Sequence, residues 1–160
     1  GWGKAHGCQG ATIVTNAQLR DFLINFSRPF IYSTGVSPLL ALTAQCSYQI
    51  IQEAAAERTK LFQLITAWNK KSSSGGMTRS QNLSPIQTLQ FNSTMEKTTD
   101  QLRELAAYLQ KHHFHIVPIY PPTVPRGGER IRISLHNFNS LEEVSTLIQL
   151  SEGFTAKGSR

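Results

Sequence analysis

Cysteine is scarce in this chain of 160 residues, where only Cys8 and Cys46 occur. Two thiols allow one disulfide at most, and their spacing forms neither a disulfide framework nor a zinc set. Free thiols in a reducing cytoplasm are the plainer expectation. Long hydrophobic runs are missing too: no stretch approaches the roughly 20 apolar residues that a membrane helix needs. The opening Gly1-Trp2-Gly3-Lys4 has neither a Met nor an apolar signal core, so the chain is expected to be a piece of a longer protein. Acidic residues number only 10 against 16 Lys and Arg, which leaves a net charge of +6. Those cations are scattered, and the longest run is Lys70-Lys71. A nucleic-acid interface calls for a basic stripe with interleaved aromatics, so no nucleic-acid partner is expected. Sites for phosphates or carboxylates also need cations, and they fit this pattern better.

What is present is periodicity. Residues 11–15, Ala-Thr-Ile-Val-Thr, predict a short strand. Thr15-x-x-Gln18 has the form of a capping box opening a helix through Leu19, Phe22, Leu23 and Phe26, which Arg28-Pro29 stops. Residues 30–34 are extended in character. Ser37-Pro38 starts the next helix, with Ser as N-cap and Pro at the first helical position. Apolar residues at spacings of three and four then run from Leu39 to Trp68 and predict one helix of about 30 residues. Residues 71–76 are flexible by composition and mark the break between domains.

Beyond the break the pattern predicts a strand at 85–91 and a helix capped by Ser93-x-x-Glu96 with Met95, Leu102, Leu105, Ala106 and Leu109 inward. Strands follow at 114–119 and 130–135, and Ser140-x-x-Glu143 caps a last helix through Leu141, Val144, Leu147 and Ile148. This half is a small α+β layer with two helices on one face of a three-stranded sheet. The last residues, 156–160, are polar and expected to fray.

Three segments could carry chemistry. In Gly3-Lys4-Ala5-x-Gly7-x-x-Gly10 a lysine stands among glycines. It is either a surface turn or a Schiff-base lysine, whose backbone small neighbours let approach a cofactor. It is not a phosphate loop, because the order Gly-x-x-x-x-Gly-Lys-Ser/Thr is absent. Phe30-Ile31-Tyr32-Ser33-Thr34-Gly35-x-Ser37-Pro38 sets hydroxyls at a helix entrance, which suits an anion or merely caps the helix. Pro121-Pro122-Thr123-Val124-Pro125 makes a stiff loop feeding a strand on which Arg130, Arg132 and Ser134 share one face. An arginine there could grip a carboxylate bidentately, and a solvated edge strand explains the pattern equally well. His113-x-His115 has no acidic or thiol partners in sequence, so no metal site is expected.

In this order the three segments resemble the α-oxoamine synthases, pyridoxal-phosphate (PLP) enzymes of fold type I. The likeness covers nearly the whole chain: aromatic-Gly-Lys-Ala-x-Gly-x-x-Gly at residues 2–10, Arg-Pro-Phe-Ile-Tyr-Ser-Thr at 28–34, and Pro-Pro-Thr-Val-Pro-x-Gly-x-x-Arg-x-Arg-Ile at 121–133. It implies an α/β fold of that type: the end of a large domain and a linker helix (1–70), a linker (71–84) and a small domain (85–155). It implies that Lys4 binds PLP covalently, that Thr34 reaches the phosphate of a neighbouring subunit's cofactor in a homodimer, and that Arg132 holds the amino-acid carboxylate. Pro122, Thr123 and Val124 would line the substrate channel. The implied reaction joins an amino acid to an acyl thioester with loss of carbon dioxide, L-alanine and a pimeloyl thioester first, in the cytoplasm.

The sequence departs from the family at three points. His6 stands where Phe or Leu is usual, Tyr120 where Arg often precedes the two prolines, and Gly35-Val36-Ser37-Pro38 replaces Ala/Ser-x-Pro-Pro. The Tyr120 change leaves the acyl substrate open. In the family, residues upstream of the lysine stack on PLP and pair with its ring nitrogen, so these 160 residues alone are expected to be inactive. A PLP aminotransferase and a non-catalytic α+β binding module remain as other classes.

Overall fold

The computed structural model describes residues 1–70, 76–92 and 95–158. The chain forms two compact units, Gly1–Ala55 and Ala56–Arg160.

The first unit starts with an irregular loop and contains three helices: α1 (Ala17–Phe26), α2 (Arg28–Ile31) and α3 (Pro38–Glu53). Three expectations fail here. Residues 11–15 form no strand, because none of the described residues pairs with them. The cap of α1 is Asn16 rather than Thr15, its side chain accepting the Leu19 N–H at 2.9 Å. The stretch 30–34, expected to be extended, starts inside a short helix instead, because α2 runs from Arg28 to Ile31. The Ser27 carbonyl accepts from both Phe30 and Ile31, and Pro29 fits a first turn that needs no N–H from it. Ser37 and Pro38 open α3 as predicted.

The predicted 30-residue helix is two helices. Ala54 leaves helical angles (φ −77°, ψ 43°) between α3 and α4 (Ala55–Lys70). Its neighbours are strong helix formers, so local propensity gave no warning of the break.

The second unit holds α4 and an antiparallel sheet ordered β1-β2-β4-β3. Its strands are β1 (Met77–Arg79), β2 (Ile86–Phe91), β3 (Val117–Ile119) and β4 (Arg130–Ser134), with helices α5 (Met95–Lys111) and α6 (Leu141–Gly158). The sheet therefore has four strands, not three. The extra one, β1, pairs Met77 with Phe91 and Arg79 with Leu89, inside the stretch expected to act as linker. The predicted strand at 114–119 shortens to β3. The Ser93 cap and the flexible run at 71–75 lie outside the described residues.

Alternation on β4 carries the layer. Ile131 and Ile133 are buried against Leu102, Leu105 and Leu109 of α5 and Val144, Leu147 and Ile148 of α6. Each such side chain contributes about 1.5–3 kcal/mol by leaving water. Trp68 of α4 is buried as well, and its indole N–H donates to the Ser80 carbonyl at 3.1 Å. Arg79 is buried with its guanidinium 5.6 Å over the Trp68 ring and 3.7 Å from Glu152. Burial lowers the pKa of Arg79, and the Glu152 charge partly restores it.

Candidate functional site

Lys4 sits at the tip of a closed loop. The Trp2 N–H donates to the Gly10 carbonyl at 2.8 Å, the Cys8 N–H to the Trp2 carbonyl at 3.2 Å, and the Gly7 N–H to Lys4 at 2.9 Å. Gly7 and Gly10 adopt φ of 65° and 123°, where a side chain would be strained. A Cβ on Gly10 would also lie 2.6 Å from the Trp2 indole, so the ring closes on the bare backbone. The Lys4 side chain is exposed, and its amine makes no hydrogen bond or ion pair with any described residue. Cβ atoms on Gly3 or Gly7 would meet nothing within 4 Å, so open space flanks the amine's loop.

Side chains anchor this loop on both sides of Lys4. The Trp2 indole N–H donates to the Tyr48 hydroxyl at 3.3 Å. His6 Nδ1 and the Ser47 hydroxyl share a hydrogen bond at 3.1 Å, and the His6 ring lies 4.6 Å from the Tyr48 ring. Sequence reading missed Ser47 and Tyr48, because contacts 41 and 46 residues apart leave no local signature.

Thr34 lies exposed between α2 and α3, with no partner among the described residues. Ser33 is committed elsewhere, its hydroxyl donating to the Pro29 carbonyl. Ser37 makes no side-chain cap bond, so no hydroxyl occupies the first-turn N–H groups of α3.

In the second unit Arg132 stands mid-sheet, opposite Thr88 on β2 and Val117 on β3. It is not on an edge strand, which removes that alternative. Its side chain is exposed and unpartnered among the described residues. With Ser134, Val117, Tyr120, Thr123 and His136 it lines an open groove of about 1160 Å³. Pro122 and Val124 do not line this groove, although a cis peptide bond joins Pro121 to Pro122 at its border. Arg130 instead turns back, its Nε donating to the Gly128 carbonyl at 2.7 Å. Among the described residues no group of three or more His, Cys, Asp or Glu could hold a metal, and no helix is long and apolar enough to cross a membrane.

Residues 1–148 match the aminotransferase class I and II family, and the chain belongs to that PLP-dependent family. The chain is 32% identical over 148 residues to the 8-amino-7-oxononanoate synthase of Cellvibrio japonicus, covering 92% of this chain and 36% of that protein. Among solved structures, the 8-amino-7-oxononanoate synthase of Francisella tularensis matches with a TM-score of 0.80 and 24% identity, over 99% of this chain and 45% of that one. Serine palmitoyltransferase from S. paucimobilis, with PLP–myriocin bound, matches with a TM-score of 0.78 and 17% identity, over 98% and 38%. The fold is that of fold-type I PLP transferases. The chain spans little more than a third of the length of the curated relatives it matches.

Proposed function

We propose that, in a protein of its relatives' length, this chain supplies Lys4 and Arg132 to a PLP-dependent acyltransferase of the α-oxoamine synthase kind. The observation that carries this is Lys4 itself: an unpartnered amine on a loop closed by glycines, in a chain similar to 8-amino-7-oxononanoate synthases. The residues present fit the cofactor. No carboxylate pairs with the Lys4 amine among the described residues, and Thr34 and the first turn of α3 have donors free for a phosphate.

PLP, when bound, supplies the electron sink for bond changes at the amino acid's α-carbon. Lys4 would hold the cofactor through its Nζ and, as a free amine, would accept the substrate's α-proton there. Arg132 holds the substrate carboxylate on its exposed sheet face, a positional task. Thr34 donates to a phosphate across a homodimer. Pro122, Thr123 and Val124 border the acyl path, with Thr123 on the groove wall. The substrates are L-alanine and a pimeloyl thioester, the setting is biotin synthesis in the cytoplasm, and residues 1–160 alone are inactive. In the first unit Phe22, Phe26, Phe30 and Leu39 are exposed, which supports a larger domain that covers them.

Two measurements on the complete protein test this. Borohydride reduction should fix PLP on Lys4, and thiol release from pimeloyl-CoA should require L-alanine. Label on another lysine would refute the Lys4 role. Faster release with glycine or serine, or from another acyl-CoA, would move the protein to a neighbouring synthase activity. Transamination without thiol release would make it an aminotransferase.

A further inference from the structure

We propose that His6, acting through Ser47, is a positioning residue that sets the direction of Lys4; the inference rests on the reading of Lys4 as the cofactor lysine. Lys4 has one anchor two residues before it and one two residues after it. Both reach the same turn of α3, Trp2 to Tyr48 at 3.3 Å and His6 to Ser47 at 3.1 Å. α3 is 16 residues long, so both anchors stand on one rigid element.

The two sides of the loop are not equally constrained. Trp2 is already tied by two backbone bonds, to Gly10 and Cys8. Between His6 and Cys8, among the described residues, the backbone bond is the Gly7 N–H donating to Lys4 within the loop itself, before the Cys8 N–H returns to Trp2. The His6 side chain is thus the tie that connects the distal arm of the loop to the helix. Without it, residues between Trp2 and Cys8 keep their ends but lose a fixed path. A misplacement of about 1 Å can cost on the order of 100-fold in a reaction that depends on alignment.

His6 occupies the position where the family usually has Phe or Leu, which separates two contributions. A Phe ring could still lie against Tyr48, as His6 does at 4.6 Å, but it offers nothing to Ser47. The hydrogen bond can therefore be removed without removing the packing. Tyr48 serves both anchors, through its hydroxyl and through its ring, so it is a poor choice for this test.

The experiment compares His6→Phe, Ser47→Ala and the double variant in the complete, PLP-loaded protein. Turnover, KM for the amino acid, visible circular dichroism of the bound cofactor and thermal midpoint are measured. Each single variant should lower kcat about 10-fold with KM within about twofold, a pattern of lost alignment rather than lost binding. Each should also change the cofactor's circular dichroism, while the thermal midpoint stays in place. The double variant should match either single, because both remove one bond. Unchanged kcat and dichroism, additive losses, or a thermal midpoint that falls in step with kcat would each overturn the proposal. Borohydride labelling of the wild-type protein keeps the two inferences apart. Label on Lys4 with silent variants sinks only the His6 role, whereas label on another lysine sinks both.

Discussion

Arg130 and Arg132 stand two residues apart on one face of β4, yet only Arg130 is tethered. Its Nε donates to the Gly128 carbonyl at 2.7 Å, whereas Arg132 is exposed with no partner among the described residues. One guanidinium holds the turn that leads into the strand. The other is left with its five donors free on the groove wall.

This asymmetry predicts opposite phenotypes. Losing one partner of a desolvated charged pair costs about 2–5 kcal/mol. Arg132→Ala should therefore weaken amino-acid binding roughly 30-fold or more, with little change in folding stability. Arg130→Ala should instead lower stability by about 1 kcal/mol through the lost bond to Gly128. Titrating the cofactor's absorbance with amino acid, beside denaturant unfolding, reads both. A larger affinity loss at Arg130 would reverse the assignment.

Ser140 and Glu143 cap α6 reciprocally. The Glu143 N–H donates to the Ser140 hydroxyl at 3.0 Å, and the Ser140 N–H donates to the Glu143 carboxylate at 2.7 Å. Ser140→Ala should cost about 1 kcal/mol. Adding Glu143→Ala should cost less than it does alone, since each half of a capping box supports the other. Strict additivity in urea unfolding would show that the two bonds form independently.

That cap was legible in the sequence because its bonds span three residues. The inward leucines of α5 and the alternation of β4 were legible for the same reason, since period and face are local properties. Failures came where local signals tied or were silent. Thr15 and Asn16 are both good N-caps, and only the 2.9 Å bond to Leu19 decides between them. Ala54 breaks the long helix among residues that all favour helix. β1 is three residues long, too short for a period to show, and its existence depends on β2 as a partner. At the site, the glycine-framed lysine and the paired arginines are local motifs visible in the sequence, and the roles expected of them rest on the family resemblance. The Ser47 and Tyr48 anchors could not be read there, and neither could the tether on Arg130, which arises from how the turn folds back.

Gln87 is fully buried on β2 and every polar atom of its amide is used. Its Oε1 accepts from Ser80, and its Nε2 donates to Ser84 O at 2.6 Å and to Asn82 O and Oδ1 at 3.2 and 3.1 Å. One side chain thus folds the loop between β1 and β2. Gln87→Leu keeps the volume but takes away the partner of the Ser84 carbonyl and the acceptor of the Ser80 hydroxyl, at about 1–3 kcal/mol, while Asn82 O and Oδ1 keep their bonds from Asn69 and the Ser84 N–H. Hydrogen exchange should show residues 80–85 opening faster in the variant. Unaltered exchange would mean that the loop is held by other contacts.

Tyr120 presents the opposite case, a buried polar atom that is not satisfied. Its hydroxyl is shielded from solvent and has no hydrogen-bond partner among the described residues, while its ring packs against the core of the second unit. Burial raises its pKa above the usual 10.0; the Arg103 charge opposes this shift and Asp100 reinforces it. The folded state therefore holds the phenol proton more tightly than the unfolded chain does. Its contribution to stability is complete below the unfolded value of about 10, and it is lost as pH rises from there through the folded pKa. Tyr120→Phe keeps the ring and removes both the orphan hydroxyl and its titration. The variant should be more stable by about 1 kcal/mol at pH 7, because an unpaired buried hydroxyl is a cost. Its advantage should widen above pH 10, where the parent loses stability to phenol ionisation. Denaturant midpoints of both proteins measured from pH 7 to 11 test this directly. A Phe variant that is less stable at pH 7 would show that the hydroxyl has found a partner, and parallel pH curves would show that its pKa is not raised.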